Sequence, residues 1–105
     1  MDRRITDLAK ALAALGSVER IHILSYLLAQ GGSPCGRIAH ALGMSTSAFS
    51  YHLRILEEAG LVARSRRGRL HCLSLTPILD ELLAPGIRQT LTEEGEQWIS
   101  KSSMK

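Results

Sequence analysis

A chain of 105 residues with thirteen Lys and Arg, ten Asp and Glu, and a formal net charge of +3 has room for one small domain. Such a domain buries a smaller share of its surface than a larger protein does, so a second copy is a natural source of further core. Aromatic residues make up only 4% of the chain, which leaves Leu, Ile and Ala to build a mostly helical interior. No stretch approaches the roughly 20 apolar residues that span a membrane, and the opening MDRRITDL lacks the apolar centre of a secretion signal. A cytoplasmic location with both cysteines reduced is therefore expected.

In chain order, Asp2 can cap a first helix on which Ile5, Leu8, Ala9, Leu12 and Leu15 form a stripe. Gly16 and Ser17 break it before a second helix over residues 18–29, which Gly31 and Gly32 end. Ser33 is placed to cap a third helix with Pro34 at its first position, where the missing N–H costs nothing. Ile38, Ala39 and Leu42 mark one face of that helix, and Gly43 closes it in the left-handed conformation. After Met44, Ser45 caps a fourth helix whose Phe49, Leu53 and Leu56 recur at helical spacing until Gly60 ends it.

The other face of the fourth helix, Thr46, Ser47, Ser50, Tyr51 and Arg54, is small, polar or basic, and its first turn is nearly free of bulk. A face of this shape enters a major groove, where the N-terminal residues of a recognition helix meet base edges. Any surface helix also shows polar residues opposite its apolar stripe, and the next segment separates the two readings. Residues 61–75 contain a strand, a tip of Arg66, Arg67 and Gly68, and a return strand, with Arg64 and Arg69 on the flanks. Gly68 supplies the positive φ of a tight hairpin turn. Four arginines in six residues with no acid among them form a cationic loop suited to phosphates or a minor groove. Charge is distributed accordingly: residues 1–75 carry ten bases and five acids, residues 76–105 three bases and five acids, so the positive end is the one expected to steer toward DNA.

Beyond the hairpin, Thr76 and Pro77 start a short helix with Ile78, Leu79, Leu82 and Leu83 inward, which Pro85 and Gly86 stop. A last helix follows with Ile87, Leu91, Trp98 and Ile99 close to one stripe, weakened at Gly95 by about 1 kcal/mol relative to Ala. Without repeat or linker, residues 1–105 read as a single domain, mostly α with a small β-hairpin: a winged helix-turn-helix of five or six helices and a two-stranded wing.

The segments LAKALAALGSVERIHIL, ALGMSTSAFSYHLRILEEAGLV and RSRRGRLHCLSL resemble, in order, the first two helices, the recognition helix and the wing of the ArsR/SmtB family of bacterial winged-helix repressors. The match runs from about Leu8 to Leu75, roughly two thirds of the chain. The resemblance implies a homodimeric repressor that binds an inverted-repeat operator in double-stranded DNA and leaves it when an inducer arrives. Ser45, Thr46, Ser47, Ser50, Tyr51, Arg54, Arg64, Arg66, Arg67 and Arg69 are its expected DNA contacts. In the family the first helix and the helix after the wing build the dimer, which implies dimerisation segments at 1–15 and 76–100 and contacts from Leu8, Leu12, Leu79, Leu82 and Leu83. Trp98 stands either there or over its own chain's core.

The inducer stays open. Where metal-sensing relatives carry a Cys-x-Cys pair, this chain has Pro34 and Gly36, with Cys35 between them. Where a second family site uses histidines after the wing, it has Asp80 and Glu81 but no histidine beyond His71. His71 and Cys72, adjacent on a strand, point to opposite faces, and His22 and His40 belong to different helices. No metal ligands are therefore assigned and no resident cofactor is expected, while a metal or thiol-reactive inducer stays open, a tetrahedral metal site needing ligands from the partner chain. His52 matches a family histidine for which packing or a backbone hydrogen bond is the expected role. Cys35 is either a candidate thiol sensor, with helix N–H groups and Arg37 favouring its thiolate, or a small apolar filler; Cys72 is expected in the core. Without a Gly-rich phosphate loop, a Ser/His/Asp set or a paired carboxylate beside a pocket, an enzyme is not expected. The competing function is a winged-helix module that turns the same face to a protein partner.

Overall fold

The computed structural model describes residues 3–103 and places six helices around a three-stranded antiparallel sheet. The helices are α1 (Arg3–Ala14), α2 (Val18–Gln30), α3 (Cys35–Ala41), α4 (Thr46–Glu58), α5 (Pro77–Leu82) and α6 (Pro85–Ser103). The strands are β1 (Ser33–Pro34), β2 (Val62–Arg67) and β3 (Leu70–Leu75), in the order β1-β3-β2. The cap expected from Asp2 lies outside the described residues. Among the described residues no single helix is long and apolar enough to cross a membrane.

Two local motifs fix the central helix pair. α3 ends with Gly43 at φ 66°, where the Met44 N–H reaches the Ala39 carbonyl and the Gly43 N–H that of His40. This paired closure requires a left-handed residue that Gly adopts without strain. The end of α4 repeats it through Gly60 and Leu61, and Leu61 is then wholly buried with Leu56. At the start of α4 the Ser45 hydroxyl accepts from the Ala48 N–H at 3.1 Å, a cap worth about 1 kcal/mol. Ser17 does the same for α2, accepting from the Arg20 N–H and donating to Glu19. The Glu19 carboxyl is held below its usual range by its own backbone N–H and by that hydroxyl. The core gathers Ile23, Leu24 and Leu27 of α2, Ile38 of α3, Phe49, Leu53 and Leu56 of α4, Leu73 of β3 and Leu79 of α5.

The structure corrects several expectations. Ser33 and Pro34 do not open α3. They form β1, paired with Leu73 and Cys72 of β3, and the Ser33 hydroxyl donates to the Gly31 carbonyl; the wing is thus part of a three-stranded sheet. The inner face of α1 is Ala11 and Ala14, while Ile5, Leu8 and Leu12 are exposed. Small residues let α1 lie close to the domain, and the leucines are left on its outside. The Thr76 hydroxyl caps nothing on α5 and donates instead to the Gly60 carbonyl at 2.6 Å, tying α5 to the end of α4. Ile78, expected inward, is exposed although it reaches Gly60. Pro85 opens α6 rather than merely stopping α5, and Ile87 on its first turn is exposed.

Gly95, which weakens α6 as an isolated helix, is buried where α6 crosses α2. A Cβ there would stand 1.9 Å from the Ser25 carbonyl oxygen and 2.9 Å from the Ala29 Cβ, so the two backbones meet directly. Trp98 lies further along the same contact, with its ring edge-on to His22 at 5.0 Å and Lys101 over it. It is half-buried on its own chain.

Candidate nucleic-acid interface

Helix α4 buries Phe49, Leu53 and Leu56 and thereby turns Thr46, Ser47, Ser50, Tyr51 and Arg54 outward, all of them exposed. Tyr51 is 62% exposed. Ser45 is exposed too; its hydroxyl oxygen accepts the cap hydrogen bond from Ala48 N–H, which anchors the helix and leaves its O–H free to donate outward.

The wing sits beside this face. Strands β2 and β3 pair from Val62↔Leu75 to Arg67↔Leu70, so the two-residue turn is Gly68–Arg69, with Gly68 at φ 61°. Gly at the first central position of a two-residue turn suits the right-handed twist of the flanking strands. Strand alternation puts Arg64 and Arg66 on the face shared with buried Val62, and Arg67 on the other. Arg66, Arg67 and Arg69 are exposed, and none has an ion-pair partner among the described residues. Arg64 differs from its neighbours: its guanidinium holds the Glu57 carboxylate of α4 at 2.6 Å. It braces the wing against the recognition helix and is not a free phosphate ligand. Nothing in the run of arginines distinguishes it; only the acid seven residues back does.

The expected dimer contacts separate in the same way. Leu8 and Leu12 are exposed, Leu82 and Leu83 are half-buried, and Leu79 is 1% exposed inside its own core. Leu79 therefore has no surface to offer a partner.

Cys35 is half-buried and lines a groove of about 210 Å³ with Ala39, Phe49, Leu53, Arg64 and His71. That volume is below the roughly 300 Å³ at which small-molecule pockets begin. Burial pushes its thiol above the ordinary cysteine value, only partly opposed by the Arg64 charge. Desolvation, not a helix-stabilised charge beside Arg37, is the largest influence on this thiol, and Arg64 is the cation that opposes it. Cys35 will be alkylated at neutral pH more slowly than free cysteine, measured by mass spectrometry of the intact protein; faster alkylation would favour a thiol sensor over an apolar filler. Cys72 is buried, as expected. Among the described residues no three His, Cys, Asp or Glu side chains converge as a metal site would need.

His52 packs its ring edge-on against Tyr51, and its hydrogen-bond partner is not backbone: its Nδ1 lies 3.2 Å from Nη1 of Arg20, a residue that sequence reasoning does not single out.

A capped helix pair joined by a tight turn, its second helix exposing a polar face beside a cationic hairpin, is the winged helix-turn-helix arrangement. A helix-turn-helix domain family matches residues 15–64. Over 82 residues the chain is 37% identical to the HTH-type transcriptional regulator NmtR of Mycobacterium tuberculosis, covering 73% of this chain and 68% of that protein. It is 30% identical over 84 residues to the HTH-type transcriptional regulator YceK of Bacillus subtilis, covering 79% and 84%. The fold superposes, with a TM-score of 0.70 and 30% identity over 90% of this chain and 88% of the other, on a homodimeric winged helix-turn-helix DNA-binding domain from Mycobacterium bovis, a possible ArsR-family transcriptional regulator. The chain belongs to the ArsR family of winged helix-turn-helix transcriptional regulators.

Proposed function

We propose that this chain is a homodimeric repressor that binds an imperfect inverted repeat in double-stranded DNA and is released from it by an inducer. The observation that carries the reading is the exposed polar face of α4 beside three wing arginines without ion-pair partners among the described residues. Thr46, Ser47 and Tyr51 read base edges, Ser50 and Arg54 follow the groove wall, and Arg66, Arg67 and Arg69 clamp phosphate. Leu8 and Leu12, with the half-buried Leu82 and Leu83, supply the dimer surface, and Trp98 stays with its own chain. The protein works in the cytoplasm. The reading needs neither a catalytic site nor a resident metal or cofactor. The similarity to a homodimeric DNA-binding domain supports both halves of it.

Selection from a pool of random duplexes, followed by footprinting and light scattering, tests the proposal. The expected result is a dimer protecting two half-sites about one helical turn apart, with affinity falling steeply as salt rises. A stable monomer protecting one isolated half-site would sink the dimeric reading. Retention of no duplex at low salt would favour a protein partner for the same face.

A further inference from the structure

We propose that Arg20 and His52 are a positioning pair that sets the angle of α4 against α1, and through α1 the separation of the two recognition helices in a dimer. The inference rests on the dimeric DNA-binding reading above. Arg20, on the first turn of α2, donates from Nε to the carbonyl of Ala14, the last residue of α1, at 2.7 Å, and from Nη1 to Nδ1 of His52 on α4 at 3.2 Å. One half-buried guanidinium therefore joins three helices.

Three features make this more than a surface contact. A guanidinium only donates, so the Nδ1 facing it accepts and the ring proton of His52 sits on Nε2. The fork is planar and rigid, so the spacing between the α1 terminus and the α4 ring follows the geometry of the guanidinium itself; a lysine, with one rotating point of charge, cannot reproduce it. The backbone of Arg20 is in turn fixed by the Ser17 cap.

Packing alone does not clamp the same joint. A groove of about 270 Å³ separates α1 from α4 beside Arg20, walled by Ala13, Ala14, Ile55 and Ala59. Alanines line the α1 side with Lys10, and Ile55 and Ala59 line the α4 side beside Glu58, so the groove leaves the joint open and the polar link across it restrains α4. The link is continuous with the surfaces it would couple. The outer face of α1 is the exposed stripe of Ile5, Leu8 and Leu12, and the His52 ring lies edge-on to exposed Tyr51, 5.1 Å away on the DNA-facing side.

The test compares two duplexes, the two-half-site operator selected by wild type and the same duplex with one half-site scrambled. His52→Leu and Arg20→Lys should lose about tenfold on the whole operator, the scale of a lost hydrogen bond to a charged group, while binding the single half-site as wild type does. His52→Asn, which keeps an acceptor near the Nδ1 position, should recover most of the loss. A merely structural contact would lower both affinities together, and equal losses on the two duplexes overturn the proposal. So does a His52→Leu protein that binds the whole operator at wild-type strength. His52→Leu removes no cap and leaves the buried side of α4 intact, so it keeps the test decisive if Arg20→Lys fails to fold. A wild-type protein that retains no duplex overturns the DNA reading and this inference with it, whereas bound wild type with unaffected variants overturns this inference alone.

Discussion

Gly95→Ala will lower the melting temperature by about 10 °C, although alanine is the better helix former. In an unpacked helix the substitution would gain about 1 kcal/mol. Here the new Cβ would stand 1.9 Å from the Ser25 carbonyl oxygen and 2.6 Å from its carbon. Both are backbone atoms inside α2, so no rotamer change relieves the collision and α6 must move away. Overpacking of this kind costs about 3 kcal/mol, and the net loss of about 2 kcal/mol corresponds to the stated shift in a domain of this size. Ser25 is fully buried with its hydroxyl unpartnered among the described residues, a cost consistent with a site that needs a small side chain more than a polar one. Thermal unfolding of both proteins at one protomer concentration, since a dimer's transition depends on it, checks the prediction. An unchanged or raised midpoint would show that the two helices are not locked at Gly95.

What the sequence discloses and what it hides divide along the range of the interactions. The helix pair at the interface is written in neighbours: Gly43, Ser45 and the Phe49, Leu53, Leu56 stripe lie within fourteen positions, and each acts on its own turn of helix. The hairpin is equally local, its tip set by Gly68. Strand β1 is not, because Ser33–Pro34 has the chemistry of a helix start and becomes a strand only by pairing with residues about forty positions later. Periodicity likewise reports that α1 has an apolar face without saying what covers it; the leucines face out and two alanines face in. Gly95 looks like a flaw until α2 is laid across it. Arg20 and His52 are 32 residues apart, and no spacing rule joins them. Arg64 reads as one more cation in a basic loop until Glu57 is found against it.

That last distinction bears on how DNA is held. Arg66 and Arg67 project from opposite faces of β2 and Arg69 lies in the turn, so the tip presents positive charge in several directions without a carboxylate to satisfy it. Arg64, already neutralised, stiffens the base of the wing. Replacing Arg66 and Arg67 together by alanine should therefore weaken binding to every duplex alike and flatten the dependence of log affinity on log salt by about two units, one for each phosphate no longer neutralised. Arg64→Ala should change that slope far less, because no phosphate-bound counterion is released by a side chain that holds Glu57. Substitutions at Thr46, Ser47 or Tyr51 should leave the slope alone and cost about 1–3 kcal/mol at particular base pairs. Titrations of a random duplex and of the selected operator at several salt concentrations separate the three patterns. If the double variant kept the wild-type slope, the wing would not be the phosphate clamp, and affinity would have to come from α4 alone, where Arg54 is the single fixed positive charge on the exposed face.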